Sequence, residues 1–222
     1  LSIRRQRQMC IRDSQGIDAG TNQKHQINEQ PNTFYLFQQV YDKDGKAIQN
    51  AFVDRDGNGK ITEADRYLTG KSPMAKVFMG LSSEFTYRNW DLGFNLRANL
   101  GNYVFNSLAS GNSTTYNYSG KGFLVNYYEA IYKTGFTQIN STEQGASDYF
   151  LENASFLKMD NITLGYSFKK LFTNRLSGRI SASVQNVFTI TKYSGLDPET
   201  SAVDGSMWPR PRTFTLGINL NF

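Results

Sequence analysis

A strand that is apolar on one side and polar on the other needs a cover for its apolar side, and residues 212–222, R-T-F-T-L-G-I-N-L-N-F, impose that need. Phe214, Leu216, Ile218, Leu220 and Phe222 fall on one face of an extended segment, and Thr213, Thr215, Gly217, Asn219 and Asn221 on the other. Successive side chains of a strand point to opposite faces. The last strand of a β-sandwich, covered by a second sheet, shows this period. So does a strand of an outer-membrane barrel, whose apolar face meets lipid. The sequence stops on the aromatic Phe222 with no polar tail behind it, which favours lipid as the cover.

The same alternation recurs upstream. In 76–88, Val77, Met79, Leu81, Phe85 and Tyr87 share a face; in 90–103, Trp90, Leu92, Phe94, Leu96, Ala98 and Leu100 oppose Asp91, Asn95, Arg97 and Asn99. Only Arg88 and Asn89 separate the two segments, which predicts a tight hairpin. Residues 155–168 turn Ile162, Leu164, Tyr166 and Phe168 outward. Residues 177–190 set Ile180, Ala182, Val184, Phe188 and Ile190 against Arg179, Ser181, Ser183, Gln185 and Thr189. An aromatic, poorly alternating segment, 33–41, is taken as a further strand. These strands exceed the ~5–6 residues usual in soluble proteins and approach the ~9–11 of a tilted membrane strand.

The expected fold is therefore all-β: about six antiparallel strands of a transmembrane β-barrel, over residues 33–222. Long links at 42–75, 104–154 and 191–211 alternate with short turns, as external loops alternate with periplasmic turns in such barrels. Six strands cannot close, and an open sheet would leave bare edges in hydrocarbon. The chain is thus expected to be the carboxy-terminal piece of a larger barrel.

Bulk properties agree. Mean hydropathy is low at -0.51, although 16 Phe and 13 Tyr are present; one-sided strands produce that combination. No run approaches the ~20 apolar residues of a spanning helix. The net charge of +5 is concentrated in residues 1–14, which hold four arginines and one aspartate; the rest has 20 basic and 18 acidic residues. That spread is no nucleic-acid footprint. The segment lacks the apolar core and cleavage site of a signal peptide and is read as a non-native head, with 15–32 an irregular loop. It also holds the one cysteine, Cys10, so no disulfide chemistry is expected.

Thr215-x-Gly217-x-x-Leu220-x-Phe222 resembles the carboxy-terminal signal read by the barrel-assembly machinery. A wider resemblance is to SusC/RagA-type TonB-dependent outer-membrane transporters. It is carried by F-Q-Q-V-Y-D (37–42), V-D-R-D-G-N-G-K-I-T-E-A-D-R-Y (53–67), K-V-F-M-G-L (76–81) and L-G-F-N-L-R-A-N-L-G-N-Y (92–103). L-E-N-A-S-F-L-K-M-D-N-I-T-L-G-Y (151–166), V-Q-N-V-F-T-I-T-K-Y-S-G-L-D-P (184–198) and 209–222 complete the set. The resemblance implies a barrel of about 22 strands, a plug contacting TonB, a SusD-like lipoprotein partner, and import of oligosaccharides or peptides across the bacterial outer membrane. The competing reading is a soluble or surface β-sandwich binding carbohydrate through calcium; a small porin is a third.

Asp54-x-Asp56-x-Asn58-Gly59-Lys60-Ile61-Thr62-x-x-Asp65 matches the twelve-position calcium loop. Oxygen ligands would come from Asp54, Asp56, Asn58, Thr62 and Asp65 and from the Lys60 carbonyl, with glycine at the sharp turn. Asp65 replaces the usual glutamate, and no helix precedes the loop. A loop of self-bonded Asx turns has the same composition. Tyr103, Phe105, Tyr116, Tyr118, Tyr127, Tyr128, Tyr132 and Trp208 are candidate sugar-stacking residues, Tyr118 and Trp208 foremost, with an interfacial girdle or loop packing as the alternative. No enzyme is expected. His25 is the only histidine, and Glu129, Glu143 and Glu152 share no motif that would set two carboxylates across a cleft.

Overall fold

The computed structural model describes residues 16–20, 22–113, 126, 129–137, 142–171, 176–205 and 208–221. It divides into two compact units, one of residues 75–101, 154–192 and 208–222, the other of residues 1–74, 102–153 and 193–207. The head 1–14 lies outside the described residues.

The first unit is one antiparallel sheet. Its strands are β1 (Val77–Tyr87), β2 (Trp90–Leu100), β3 (Phe156–Leu171), β4 (Leu176–Thr191) and β5 (Thr213–Asn221), in the order β5-β4-β3-β2-β1. Every neighbour in space is thus a neighbour in sequence, the up-and-down order of a barrel wall. Arg88, at φ 56, makes the tight β1–β2 turn.

Register aligns the apolar faces into continuous rows. Phe85, Leu92, Leu164, Ala182 and Leu216 form one row, and Phe94, Ile162, Val184 and Phe214 the next. Tyr87, Trp90, Tyr166, Ile180 and Ile218 form a third, with the Trp90 and Tyr166 rings 4.8 Å apart. Many of these side chains are bare: Phe214 is 73 %, Leu216 72 % and Ile218 65 % exposed. The band runs the 11 residues of β1. Its first and last residues are ten steps of about 3.4 Å apart, roughly 34 Å along the strand. A tilt of about 40° reduces it to ~26 Å, against the ~25 Å apolar band of membrane barrels.

Two bulges keep the rows in phase. β3 carries an extra residue between Met159 and Asn161, and β4 shifts against β3 at the same level, where Asn186 adopts φ 54. Asp160 and Asn161 consequently both face the polar side, while Leu157 and Met159 rejoin the apolar one.

The register also fixes where the chain enters and leaves the sheet. Val77 pairs with Leu100, and Phe156 with both Asn99 and Thr191, so all three long links depart from one end. The 88–89 turn, the β3–β4 turn and the end of β5 lie at the other; residues 172–175 of the second turn are outside the described ones. This is the parity expected from link lengths.

The sixth expected strand is a correction. Residues 33–41 form two short strands, Thr33–Leu36 and Gln39–Tyr41, that pair outside the five-stranded sheet. Thr33, Phe34 and Leu36 are fully buried and Phe37 nearly so. A barrel strand needs one side for lipid and one for water, and a segment buried on both sides has neither.

In the second unit the segments expected as long links carry regular structure. Short strands lie at 17–18, 23–25, 47–52, 67–68, 103–105 and 151–153, and helices at Ser107–Gly111, Glu129–Thr134 and Thr142–Gly145. They enclose a core of Phe34, Leu36, Phe105, Phe136, Phe150 and Leu151. Polar groups tie distant segments together: Asp148 accepts from the Gln39 N–H at 2.9 Å and from the Tyr67 hydroxyl at 2.6 Å.

Candidate functional site

On the polar face of the sheet the side chains pair across strands. Arg97 Nε meets Asp160 at 2.6 Å, an ion pair that exists because the β3 bulge turns Asp160 toward β2. Asn95 Nδ2 donates to Asn161 at 2.8 Å. Arg179 of β4 and Asp91 of β2 form a second ion pair, spanning β3, which lies between them. It passes over Gly165, where an added Cβ would sit about 2.5 Å from both partners. Gly165 is thus a gap that lets two charges meet across a strand. Alternation had put Asp91 and Arg179 on polar faces; their meeting over Gly165 follows only from register.

Thr215, Gly217 and Leu220 of the expected assembly signal all lie in β5. Gly217 faces Ser181, whose Oγ would be 3.0 Å from an added Cβ, and Leu220 is exposed. Phe222 lies outside the described residues.

The acidic loop is built around its own backbone. Gly57 and Gly59, at φ 72 and 75, turn the chain back on itself, a conformation glycine adopts without strain. Asp54 accepts from the N–H groups of Gly57 and Gly59 at 2.7 and 2.8 Å. Asp56 accepts from the Asn58 N–H at 3.1 Å and from its Nδ2 at 2.7 Å. Asn58 Oδ1 takes the Lys60 N–H at 2.7 Å. Asp65 is fully buried and takes the N–H groups of Thr62 and Arg55, each at 2.7 Å. Those bonds hold its carboxyl below the usual carboxylate range, since they favour the charged form. Thr62 caps the short 3-10 helix Glu63–Asp65.

Asp54, Asp56 and Asp65 each bring an oxygen to within 4.8 Å of the others. Three hard oxygen donors this close suit calcium, and like charges so placed repel without a counter-charge. Asn58 and Thr62, like the three carboxylates, are engaged in the loop's own hydrogen bonds. The loop also touches the Asp148 hub: the Arg55 guanidinium stacks 4.4 Å over Tyr67, whose hydroxyl, pushed up by burial and by Asp148, stays protonated at neutral pH.

The aromatic candidates divide. Phe105 is buried in the core and packs on Phe150, so it cannot stack on a ligand. Tyr103 is half-buried beneath Lys71, 5.1 Å from its ring. Tyr132 is exposed and Trp208 91 % exposed. Tyr116, Tyr118, Tyr127 and Tyr128 lie outside the described residues. His25 Nδ1 accepts the Asn32 N–H at 3.2 Å within a turn.

Sequence reasoning missed a pocket of about 420 Å³ in the second unit, to which Glu129, Lys133, Tyr149, Glu152 and Ser194 contribute. It brings together two of the three glutamates that had no common motif. The sequence carries no signal for this, because the lining comes from separate segments.

No family profile matches the chain. It is 44% identical over 216 residues to the TonB-dependent receptor SusC of Bacteroides thetaiotaomicron, covering 93% of this chain and 21% of that protein. It is 29% identical over 194 residues to the TonB-dependent receptor P3 of Formosa agariphila, covering 77% of this chain and 19% of the relative. The fold is similar to the RagAB peptide transporter, with a TM-score of 0.64 at 22% identity, over 93% of this chain and 25% of that one. The RagAB peptide importer in its "closed-closed" state gives a TM-score of 0.63 at 23% identity, with the same coverage. These relatives are named as receptors and transporters rather than enzymes. The chain spans about a fifth of the curated relatives' length and is a β-barrel segment of the SusC/RagA family of TonB-dependent receptors.

Proposed function

We propose that this chain forms the carboxy-terminal part of the barrel wall of a TonB-dependent outer-membrane transporter that imports oligosaccharides with a SusD-like surface lipoprotein. The observation that carries the reading is the pair of unlike faces running through five strands. One is a bare apolar band of about the height of a bilayer core; the other is lined with ion pairs and amides, suited to a water-filled lumen.

In this orientation the short turns point to the periplasm, and the three long links leave the sheet at its outer end. TonB is engaged through a plug elsewhere in the protein. The barrel-assembly machinery reads Thr215, Gly217, Leu220 and Phe222. The calcium-dependent sandwich accounts less well for the bare band, because a sandwich covers such a face with a second sheet.

The test is deletion of the whole gene in its host, scored by growth on neutral oligosaccharides and by co-purification of a surface lipoprotein with the tagged transporter. Unchanged growth on every glycan, with no lipoprotein recovered, would overturn the reading.

The loop 54–65 is proposed to bind calcium through Asp54, Asp56 and Asp65, with Asn58, Thr62 and the Lys60 carbonyl completing the shell. An extracellular loop meets the ~millimolar calcium that weak sites need. Calcium should raise the melting temperature of the purified transporter, and the Asp54→Ala/Asp56→Ala variant should lose that response. Equal responses would remove the ion from the account.

A further inference from the structure

We propose that the 420 Å³ pocket lined by Tyr149, Glu152, Ser194, Glu129 and Lys133 holds a neutral sugar at one end of an oligosaccharide. This rests on the reading of the protein as an oligosaccharide importer and adds where, and by what chemistry, one sugar is held. The volume is at the small end of ligand sites, which run from ~300 to 1,000 Å³. That suits a chain end better than a long segment.

Three features of the lining select the ligand. Tyr149 supplies a half-buried aromatic wall, fixed by ring contacts to Phe136 at 6.0 Å and Phe150 at 5.1 Å. A rigid ring face accepts the apolar C–H side of a pyranose at little entropic cost. Glu152 supplies an immobile acceptor. Its carboxylate takes the Asn106 Nδ2 at 3.0 Å, the Ser194 Oγ at 2.7 Å and the Ser194 N–H at 2.8 Å. Asn106 is itself fully buried, with its Oδ1 capping the helix at Ala109, so the carboxylate is held from behind. A carboxylate has about four acceptor directions; three are filled, which leaves room for one hydroxyl but poorly suits a three-donor ammonium group.

The rim is the adaptable part. Glu129 and Lys133 pair at 3.0 Å on successive turns of one helix, with side chains 76% and 60% exposed. Such a pair is worth only about 0.3–0.5 kcal/mol, so either group can turn to a ligand hydroxyl. Two carboxylates against one ammonium disfavour an acidic sugar. Neutral hydroxyls fit the set.

The experiment uses the full-length transporter with its lipoprotein and a panel of neutral gluco-, fructo-, manno- and xylo-oligosaccharides, read by calorimetry. At least one should bind. Glu152→Gln should weaken it about tenfold, the worth of one charge-assisted hydrogen bond, and Tyr149→Ala by more. Because Tyr149 packs against core rings, Lys133→Ala on the exposed rim serves as a second variant that leaves folding intact, and it should weaken binding severalfold. A glycan bound equally by wild type, Glu152→Gln and Lys133→Ala overturns the pocket and leaves the importer reading standing. Binding of none of the panel, with peptides bound instead, overturns both.

Discussion

Val184 sits in the row Phe94, Ile162, Val184, Phe214, and Phe94 lies four residues from one end of β2 and six from the other. The row is therefore near the middle of the apolar band. Replacing Val184 with arginine places a charge close to the bilayer midplane, where a lipid-facing arginine costs about 2–4 kcal/mol. At 1.4 kcal/mol per tenfold, the folded-to-unfolded ratio in the membrane should fall about 30- to 700-fold relative to wild type. Ser183, one residue earlier, points to the polar face between Thr163 and Thr215. Arginine there faces water and should change stability by no more than about 0.5 kcal/mol. The assay is urea-dependent folding of the full-length transporter into vesicles, read by heat-modifiable gel mobility. Equal costs at the two positions, or a larger cost at 183, would refute the assignment of the faces.

Other expectations follow from single contacts. Gly165→Ala should destabilise the barrel by about 1–3 kcal/mol in the wild-type background. It should cost under about 0.5 kcal/mol where Asp91 and Arg179 are both alanine, because its added methyl displaces only that pair; equal costs in the two backgrounds would show that it meets something else. Tyr67→Phe removes a hydroxyl bond to the Asp148 carboxylate and should cost about 1.5–3 kcal/mol, seen as faster hydrogen exchange at the Gln39 and Asp148 amides. The depressed Asp65 pKa has a pH signature. Its stabilising share is complete above the carboxylate's ordinary value near 4 and is lost as pH falls through the lower folded value. Acid should therefore lower the hydrogen-exchange protection factors of the Arg55 and Thr62 amides in wild type, while in Asp65→Asn those factors should not change with pH.

What could be read from the chain beforehand was whatever depended on a period of two. Val77 to Tyr87, Trp90 to Leu100 and Thr213 to Asn221 alternate, apart from Phe78 and Ser83 in the first, and each forms a sheet strand; the apolar side chains of the first and last are bare, while Leu92, Phe94 and Leu96 are half-buried and Ala98 is buried. The reading faltered where the period breaks. In β3 the outward face was legible only from Ile162 onward, because the bulge at Asp160 inverts the parity of everything before it. Residues 33–41 are rich in aromatics, which suits a strand, but they lack alternation, and their burial on both sides is what missing alternation means. The links were opaque for a different reason. Their structure rests on pairings such as Gln39 with Asp148, 109 positions apart, and on Glu152 meeting Ser194. Of the acidic loop, spacing gave the convergence of Asp54, Asp56 and Asp65, but not how many of their lone pairs the backbone takes.

The central claim, that the even-numbered side chains of β5 meet lipid, can be measured directly. Cys10 is the one cysteine of this sequence; in a full-length transporter freed of cysteines, single nitroxide labels can be placed at each position from 213 to 221 in the membrane. Relaxation by oxygen, which concentrates in lipid, should peak at 214, 216, 218 and 220, while relaxation by a water-soluble nickel chelate should peak at the odd positions. Even positions shielded from both agents would mean that protein covers them, and the barrel-wall account would fail.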